Sequence, residues 1–271
     1  MRTRAISLVS CLVVGVGVSA SAFAADLPVV RKAPPAAAPM IDRFAGPYVG
    51  GGVGARQTVC DDWRTTALLS DGIAAPDPIL GTPTACLSSE FRGALFADYN
   101  WRVAPSWIVG IEGDVGFADD EGTQRGIPGT GFLLGLGGGA AANDSLTIKK
   151  SWDGSIRGRL GYNVTPQLLA YGMGGFAAQR VQATLICAAT GACAAVTGPA
   201  TTTASASDTM TGWTAGGGLE YAVASNWLVR GEYRYSDYGT FTNTYGTNVV
   251  GSIALTSDIT MRTHTWMFGA A

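Results

Sequence analysis

The sequence predicts an all-β fold, an eight-stranded antiparallel up-and-down transmembrane β-barrel. Three observations lead to this prediction: a short turn signature recurs along the chain, long connections separate the turns, and the segments between them alternate apolar and polar residues. The composition agrees, because only 14% of the 271 residues are charged, compared with about a quarter in ordinary soluble domains. A net charge of −2 gives no indication of nucleic-acid binding.

The N-terminal residues are predicted to lie outside the barrel. Residues 1–24 have the pattern of a cleaved signal peptide: two arginines open the chain, Leu8–Val18 is apolar, and an A-x-A site ends at Ala24. The apolar stretch is too short to cross a bilayer as a helix. Residues 25–43 are rich in proline and alanine, which predicts an extended periplasmic tail. The barrel is therefore expected over residues 44–271.

Three short turns define one end of the predicted barrel. In "YNWRVAPSW", "YNVTPQLLA" and "EYAVASNWL", a tyrosine precedes a short turn and a Trp or Leu opens the next strand. Ser106, Gln167 and Asn226 occupy matching positions in these turns. An even number of strands places both termini on the periplasmic side. Four long connections are expected at the other end, at about residues 59–89, 119–148, 180–208 and 240–257.

Alternation with a period of two residues separates an apolar face from a charged face in each predicted strand. In the seventh strand, for example, Trp227 and Val229 share one face, whereas Arg230 and Glu232 share the other. Arg262 is expected on the charged face of the last strand. Ten residues of the charged faces form the candidate site, a predicted charge network in the lumen: Arg92, Asp98, Glu112, Asp114, Arg157, Arg159, Glu220, Arg230, Glu232 and Arg234.

The apolar face is predicted to contact lipid and the charged face to line the lumen. A soluble barrel would alternate equally well with its apolar face inward, so alternation alone does not decide the orientation. Tryptophan and tyrosine concentrate at strand ends on the apolar face, as in the aromatic girdles of membrane barrels. The charged face carries both signs in near balance, which an enclosed lumen requires because unpaired buried charge is costly. The chain has three lysines, although lysine is the usual cation of a solvated surface.

Side chains can fill the interior of an eight-stranded barrel, so the charged residues are expected to form a salt-bridged plug rather than an open channel. Catalysis is not expected, because the chain has one histidine, His264, and the sequence places no acidic residue beside it. No cofactor or metal site is predicted, since the cysteines lack the short paired spacings of zinc ligands.

Four cysteines remain after the signal peptide: Cys60, Cys86, Cys187 and Cys193. An even number in an exported chain indicates disulfides, and three connectivities are possible. The pairing that is local in sequence, Cys60 with Cys86 and Cys187 with Cys193, is the simplest because each bond closes one loop. Each bond is expected to stabilise the fold by roughly 2–3.5 kcal/mol.

Four segments of the chain resemble a known family: "GPYVGGGVGA" at Gly46, "SIRGRLGY" at Ser155, "LLAYGMGGFA" at Leu168 and "GWTAGGGLEYAVASNWLVRGEYRYSDYG" at Gly212. They are similar to small Gram-negative outer-membrane barrels of the RopB type, surface antigens often called a porin family and distantly similar to the OmpA transmembrane domain. The resemblance covers essentially the whole mature chain. It implies roles in envelope integrity and host contact, with haemin binding in some members and no catalytic motif. Family members usually end on an aromatic residue, so the strand ending at Ala271 is expected to be a few residues short.

The expected function is structural: the barrel stabilises the outer membrane and displays its loops. Two alternatives stay open, namely binding of a ligand or host molecule by the loops (adhesion or haemin), and a narrow low-conductance porin-like channel. Outer-membrane lipids and the barrel-insertion machinery are the expected partners. Peptidoglycan and host surface molecules are further candidates, and nucleic acid is not.

Overall fold

The computed structural model describes residues 42–68, 74–77, 88–125, 143–190, 200–246 and 254–271. The strands in these ranges are β1 (Gly46–Leu68), β2 (Ala74–Asp77), β3 (Ser88–Ala104), β4 (Trp107–Arg125), β5 (Ser145–Thr165), β6 (Leu168–Cys187), β7 (Thr202–Ala224), β8 (Trp227–Gly246) and β9 (Ala254–Ala270). The long strands pair antiparallel in chain order, and β9 pairs with β1, so the predicted barrel is confirmed. The short β2 pairs with the outer end of β1.

The three predicted short turns are also confirmed. Two-residue turns ending at Ser106, Gln167 and Asn226 join β3 to β4, β5 to β6, and β7 to β8. The turns bond to neighbouring hairpins as well: the Asn163 amide donates to the Ser106 carbonyl at 2.8 Å, and the Ala222 amide donates to the Gln167 carbonyl at 2.9 Å. The turns therefore form one compact edge of the barrel, called here the periplasmic rim after the side on which the sequence predicts the short turns.

The connections at the opposite end are shorter than the sequence predicts, because the strands continue into them. The ring strands run for 17–23 residues, whereas about 9–11 residues cross a bilayer. β6, for example, continues to Cys187, within the predicted connection 180–208. Apolar side chains support these extensions from inside, and paired hydroxyls lie outside, such as Thr184 Oγ1 and Ser205 Oγ at 3.1 Å. Composition alone predicts loops here, because segments rich in threonine and serine are typical of loops.

Two strands exchange their inward and outward faces as they pass to the outer end. In β5, Lys150 and Asp153 both face inward, with a register shift between them. In β8, Tyr238 and Phe241 both face inward, and Gly239 between them has a φ of 70°, which glycine adopts without strain. Because an extra residue reverses the alternation, these bulges turn apolar residues inward at the outer end.

The interior contains three layers: an apolar cluster at the periplasmic rim, charged residues in the middle, and a larger apolar cluster at the outer end. The cluster at the periplasmic rim, called here the lower cluster, consists of Phe44, Ile108, Leu169, Ala222 and Leu228, with Tyr48 packed against it. The cluster at the outer end is called the upper cluster. The upper cluster consists of Cys60, Leu146, Ile148, Ala177, Val181, Ala183, Leu185, Cys187, Met210, Tyr238, Phe241, Ile259 and Met261. Both ends of the charged layer are therefore covered by apolar side chains.

The outer surface around the charged layer is a belt of exposed apolar side chains, as the alternation predicts. No helix in the described part of the chain is long and apolar enough to cross a membrane. The belt has the composition that lipid requires of a barrel wall. Its members on β7 and β8 include Trp213, Leu219, Tyr221, Trp227, Val229 and Tyr233.

Several predictions fall wholly or partly outside the described residues. The signal peptide lies in residues 1–24 and most of the tail in residues 25–41, so both stay predictions. Cys60 and Cys187 are buried in the upper apolar cluster, whereas the remaining two cysteines lie in ranges that are not described. The disulfide pairing therefore also stays a prediction.

Candidate functional site: the lumenal charge network

The middle layer of the barrel is a network of ion pairs between strands that are mostly not neighbours in the sheet. All ten residues of the predicted network face the lumen, and their side chains are at most 8% exposed. Two residues that the prediction omits complete it. Six guanidinium groups thus meet six carboxylates: Arg56, Arg92, Arg157, Arg159, Arg230 and Arg234 with Asp98, Glu112, Asp114, Asp153, Glu220 and Glu232.

Asp153 joins three arginines in the outer part of the network. Arg56 Nη1 donates to its Oδ1 at 2.8 Å. Its Oδ2 accepts from Arg92 Nη2 at 2.6 Å and from Arg234 Nη2 at 3.2 Å. The last two arginines also reach Asp114, at 2.7 and 2.9 Å. Three guanidinium groups from β1, β3 and β8 therefore share two carboxylates here.

Glu112 occupies the centre of the network and is fully buried. It accepts a hydrogen bond from Arg157, another from Arg230 Nη1 at 2.8 Å, and lies 3.3 Å from Arg159 Nη1. Arg157 Nη1 also donates to Glu232 Oε1 at 2.8 Å. These contacts offset the large cost of removing the carboxylate from water.

Arg159 closes the network near the periplasmic rim. Its Nη2 donates to Glu220 Oε1 at 2.5 Å, and its Nη1 donates to Asp98 Oδ2 at 3.3 Å. The guanidinium also stacks 4.0 Å from the ring centroid of Tyr171. Because the Tyr171 hydroxyl donates to Glu232 Oε2 at 3.1 Å, this lower part is joined to the centre.

Glycines leave the space that the long side chains occupy. A β-carbon on Gly116 would overlap the Arg92 guanidinium, and one on Gly218 would lie 2.7 Å from the Tyr171 hydroxyl. The cavity that remains beside Arg92 and Glu232 measures about 10 Å³, which holds at most one water molecule. The charged layer is therefore filled with side chains.

The two residues that the predicted network omits had unequal signals in the sequence. Asp153 precedes Ser155 and Arg157 at the right period, so alternation alone could have included it. Arg56 follows a glycine-rich stretch of β1, and glycine carries no side chain that reveals a face. A search for further charged residues at even spacing would have found Asp153 and missed Arg56.

Arg262 is not on the lumenal face, contrary to the prediction. Met261 and Thr263 on either side of it face inward and are buried, so Arg262 faces outward, where its Nε donates to Asp237 Oδ2 at 3.3 Å. The prediction was wrong because threonines occupy inward positions of β9 and blur the alternation. His264 also faces outward, and its Nδ1 lies 2.8 Å from the Tyr233 hydroxyl.

The chemistry of the network is mutual neutralisation. Each of its carboxylates lies within ion-pair distance of at least one arginine. Within the ranges that the structure describes, no group of three or more His, Cys, Asp or Glu side chains is arranged to hold a metal ion. The arrangement stabilises the wall from inside, since it links strands that make no backbone contact with each other.

A closed antiparallel sheet with an apolar outer belt and internal ion pairs defines a small membrane β-barrel. The chain belongs to the outer membrane protein β-barrel domain family, whose model matches residues 10–271, and the protein is located in the outer membrane. It is 30% identical to the 31 kDa outer-membrane immunogenic protein of Brucella melitensis over 220 residues, which cover 81% of this chain and 82% of that protein. It is also 30% identical to the 22 kDa outer membrane protein of Rhizobium leguminosarum over 169 residues, 59% of this chain and 63% of that protein.

Solved structures of outer-membrane proteins are similar to this chain as well. OprG of Pseudomonas aeruginosa aligns with a TM-score of 0.43 at 13% identity, over 83% of this chain and 95% of that one. Ail of Yersinia pestis aligns with a TM-score of 0.30 at 12% identity, over 82% of this chain and 99% of that one.

Proposed function

We propose that this protein is a structural outer-membrane barrel, without catalytic activity, that supports the integrity of the envelope and displays long loops at the cell surface. The observation that supports this proposal is the filled interior. Two apolar clusters enclose a layer in which arginines and carboxylates neutralise one another. A substrate pocket or an open path would need the space that these side chains occupy.

The structural role is tested by deleting the gene and measuring uptake of a hydrophobic dye and sensitivity to detergent. Both are expected to rise, and both the full chain and a chain lacking residues 126–142 are expected to restore the barrier. If deletion changes neither quantity, the structural role is wrong. If the full chain restores the barrier and the shortened chain does not, although it reaches the outer membrane folded, the loops carry the main function.

Binding of a ligand or host molecule by the loops, in adhesion or haemin capture, is the second candidate. The strand extensions favour it, because β6 continues eleven residues beyond the exposed Phe176, or about 36 Å along the strand, and so raises its loop above the membrane. We propose that disulfides Cys60–Cys86 and Cys187–Cys193 restrain two of these loops. Both described cysteines, Cys60 and Cys187, are disulfide-bonded, which supports the presence of disulfides at this end of the barrel.

A narrow channel is the alternative that the filled lumen disfavours. Single-channel recordings of the purified protein in planar bilayers test it directly. We expect no steady conductance steps. Reproducible large steps from the folded protein would mean that the charged layer opens, and the structural proposal would then give way to a transport function.

The remaining assignments concern the chain outside the barrel. We propose that residues 1–24 are a cleaved signal peptide, and that the tail over residues 25–43 stays in the periplasm as a candidate contact for peptidoglycan. The barrel-insertion machinery is the proposed partner during assembly. N-terminal sequencing of the mature protein checks the first of these, and co-sedimentation with purified peptidoglycan checks the second.

A further inference from the structure

A cationic site lies on the outer wall of the barrel, beyond the apolar belt on β6 and β7. Phe176 and Trp213 are paired across these strands and are 80% and 52% exposed. Four residues further outward on each strand, Arg180 is paired with Thr209. This spacing is about 13 Å along the strands and about 10 Å along the membrane normal at a strand tilt of about 40°. When the aromatic pair lies at the membrane interface, Arg180 is therefore at the level of the lipid headgroups.

Hydroxyl groups orient the Arg180 guanidinium. Its Nη2 donates to Ser207 Oγ at 2.8 Å, and its Nη1 donates to Thr209 Oγ1 at 3.4 Å. No carboxylate of the described residues forms an ion pair with it. Arg180 is thus an exposed cation that is held in place without being neutralised. This differs from Arg262 further round the wall, whose Nε lies 3.3 Å from the Asp237 carboxylate.

Lys149 on β5 adds a second cation on the same outward face. It is paired in register with Gln182, so it is a diagonal neighbour of Arg180, at about 7–8 Å between α-carbons. Its Nζ lies 3.0 Å from Asp119 Oδ1, and Glu121 on the neighbouring strand β4 is paired with Lys149 in register. Asp119 and Glu121 offset the charge of Lys149, so Arg180 is the cation of this group that has no carboxylate partner among the described residues.

We propose that Arg180, with Ser207, Thr209 and the neighbouring Lys149, binds a phosphate group of a glycolipid in the outer leaflet of the outer membrane. A guanidinium group matches phosphate oxygens with two parallel hydrogen bonds. Because the two hydroxyls accept from Arg180, their own protons are free to donate to the same phosphate. The exposed aromatic pair below the site contacts the acyl chains of the bound lipid. The proposal depends on the outer-membrane location and is independent of the structural role proposed above.

The experiment measures binding of two probes to the full-length protein in detergent: diphosphorylated lipid A, and the same lipid A after removal of its phosphates. The wild-type protein is expected to bind the phosphorylated probe about tenfold more tightly. Arg180→Gln should remove most of this difference. Arg262→Gln is the matched control, because it removes the same charge from an outward arginine that already has a carboxylate partner, and it should leave the difference unchanged.

Three results would overturn the proposal. The first is unchanged binding of the phosphorylated probe by Arg180→Gln, and the second is an equal loss in Arg262→Gln, which would indicate net charge alone. The third is competition by inorganic phosphate with the affinity of the lipid, which would make free phosphate the ligand. Each variant is first checked for heat-modifiable migration. If Arg180→Gln does not fold, Arg180→Lys replaces it, and intermediate affinity is then expected because lysine keeps the charge and loses the two-bond geometry.

Discussion

Arg159 on β5 and Glu220 on β7 meet across the lumen, with Nη2 2.5 Å from Oε1, although β6 separates their strands in the sheet. Both residues have a further partner, since Arg159 also reaches Asp98 at 3.3 Å and Glu220 lies 3.8 Å from Arg230. The backbone ladder joins only adjacent strands. Contacts of this kind therefore add a second set of connections across the ring.

Glu220→Ala is expected to destabilise the folded barrel. The change leaves the buried guanidinium of Arg159 without its shortest partner, and breaking a buried pair in this way costs about 3–5 kcal/mol. The measurement is the temperature at which heating converts the fast-migrating band of the folded protein to the slower band of the unfolded protein on a gel. Glu121→Ala, at an exposed position of β4, is the control and should migrate like the wild type. An unchanged temperature for Glu220→Ala would count against a coupled network.

Asp153→Asn should be at least as damaging, because three arginines bind this carboxylate. Neutralising it leaves an excess of positive charge in the outer part of the charged layer. The matched substitution, Asp237→Asn, removes the partner of the half-exposed Arg262, and exposed pairs contribute about 0–1 kcal/mol. Urea unfolding of both variants in detergent or bilayers compares the two losses. Equal losses would mean that burial adds nothing to the pair energy.

Gly116→Ala is expected to destabilise the barrel by about 1–3 kcal/mol, since the new methyl group overlaps the Arg92 guanidinium and displaces it from its carboxylates. Gly93→Ala is the control on β3, because a β-carbon there meets no atom within 4 Å. The thermal transition of each variant, followed by circular dichroism, checks the prediction. A larger loss in Gly93→Ala than in Gly116→Ala would contradict the filled-lumen description.

The contact between Asp42 and Arg102 should be lost at low pH. The hydrogen bond from Arg102 is the main cause that lowers the pKa of Asp42 below its ordinary value of 3.8. A lowered pKa in the folded state means that the stabilisation is fully present above pH 3.8 and is lost as the pH falls through the folded pKa. Because the Asp42 side chain is still partly exposed to solvent, the effect on global stability is small.

The Phe44 amide reports this contact, since it donates to Asp42 Oδ1 at 3.3 Å. Its NMR resonance is expected to shift as the pH falls below 3.8, and Asp42→Asn should remove that shift. The same titration in the variant as in the wild type would assign the shift to another group.

Most of the wall could be predicted from local patterns. The turns at Ser106, Gln167 and Asn226, the strand order and the lumenal position of Glu112 all follow from turn chemistry and period-two alternation. The outward position of Arg262 was not predicted, because β9 places threonine on its inward face, where the alternation of apolar and polar residues is weak. The extensions of the strands beyond the membrane were not predicted either, because threonine-rich segments are compatible with both a loop and a paired strand.

By itself, therefore, the sequence determined the class of fold, the strand order and which face of most strands carries the charged residues, because these depend on residues that are close together in the chain. The tertiary structure decided which charges meet. Asp153 binds arginines from β1, β3 and β8 only because closure of the sheet brings these strands around one lumen. The bulges in β5 and β8 decided where the interior changes from charged to apolar, because register depends on the partner strand.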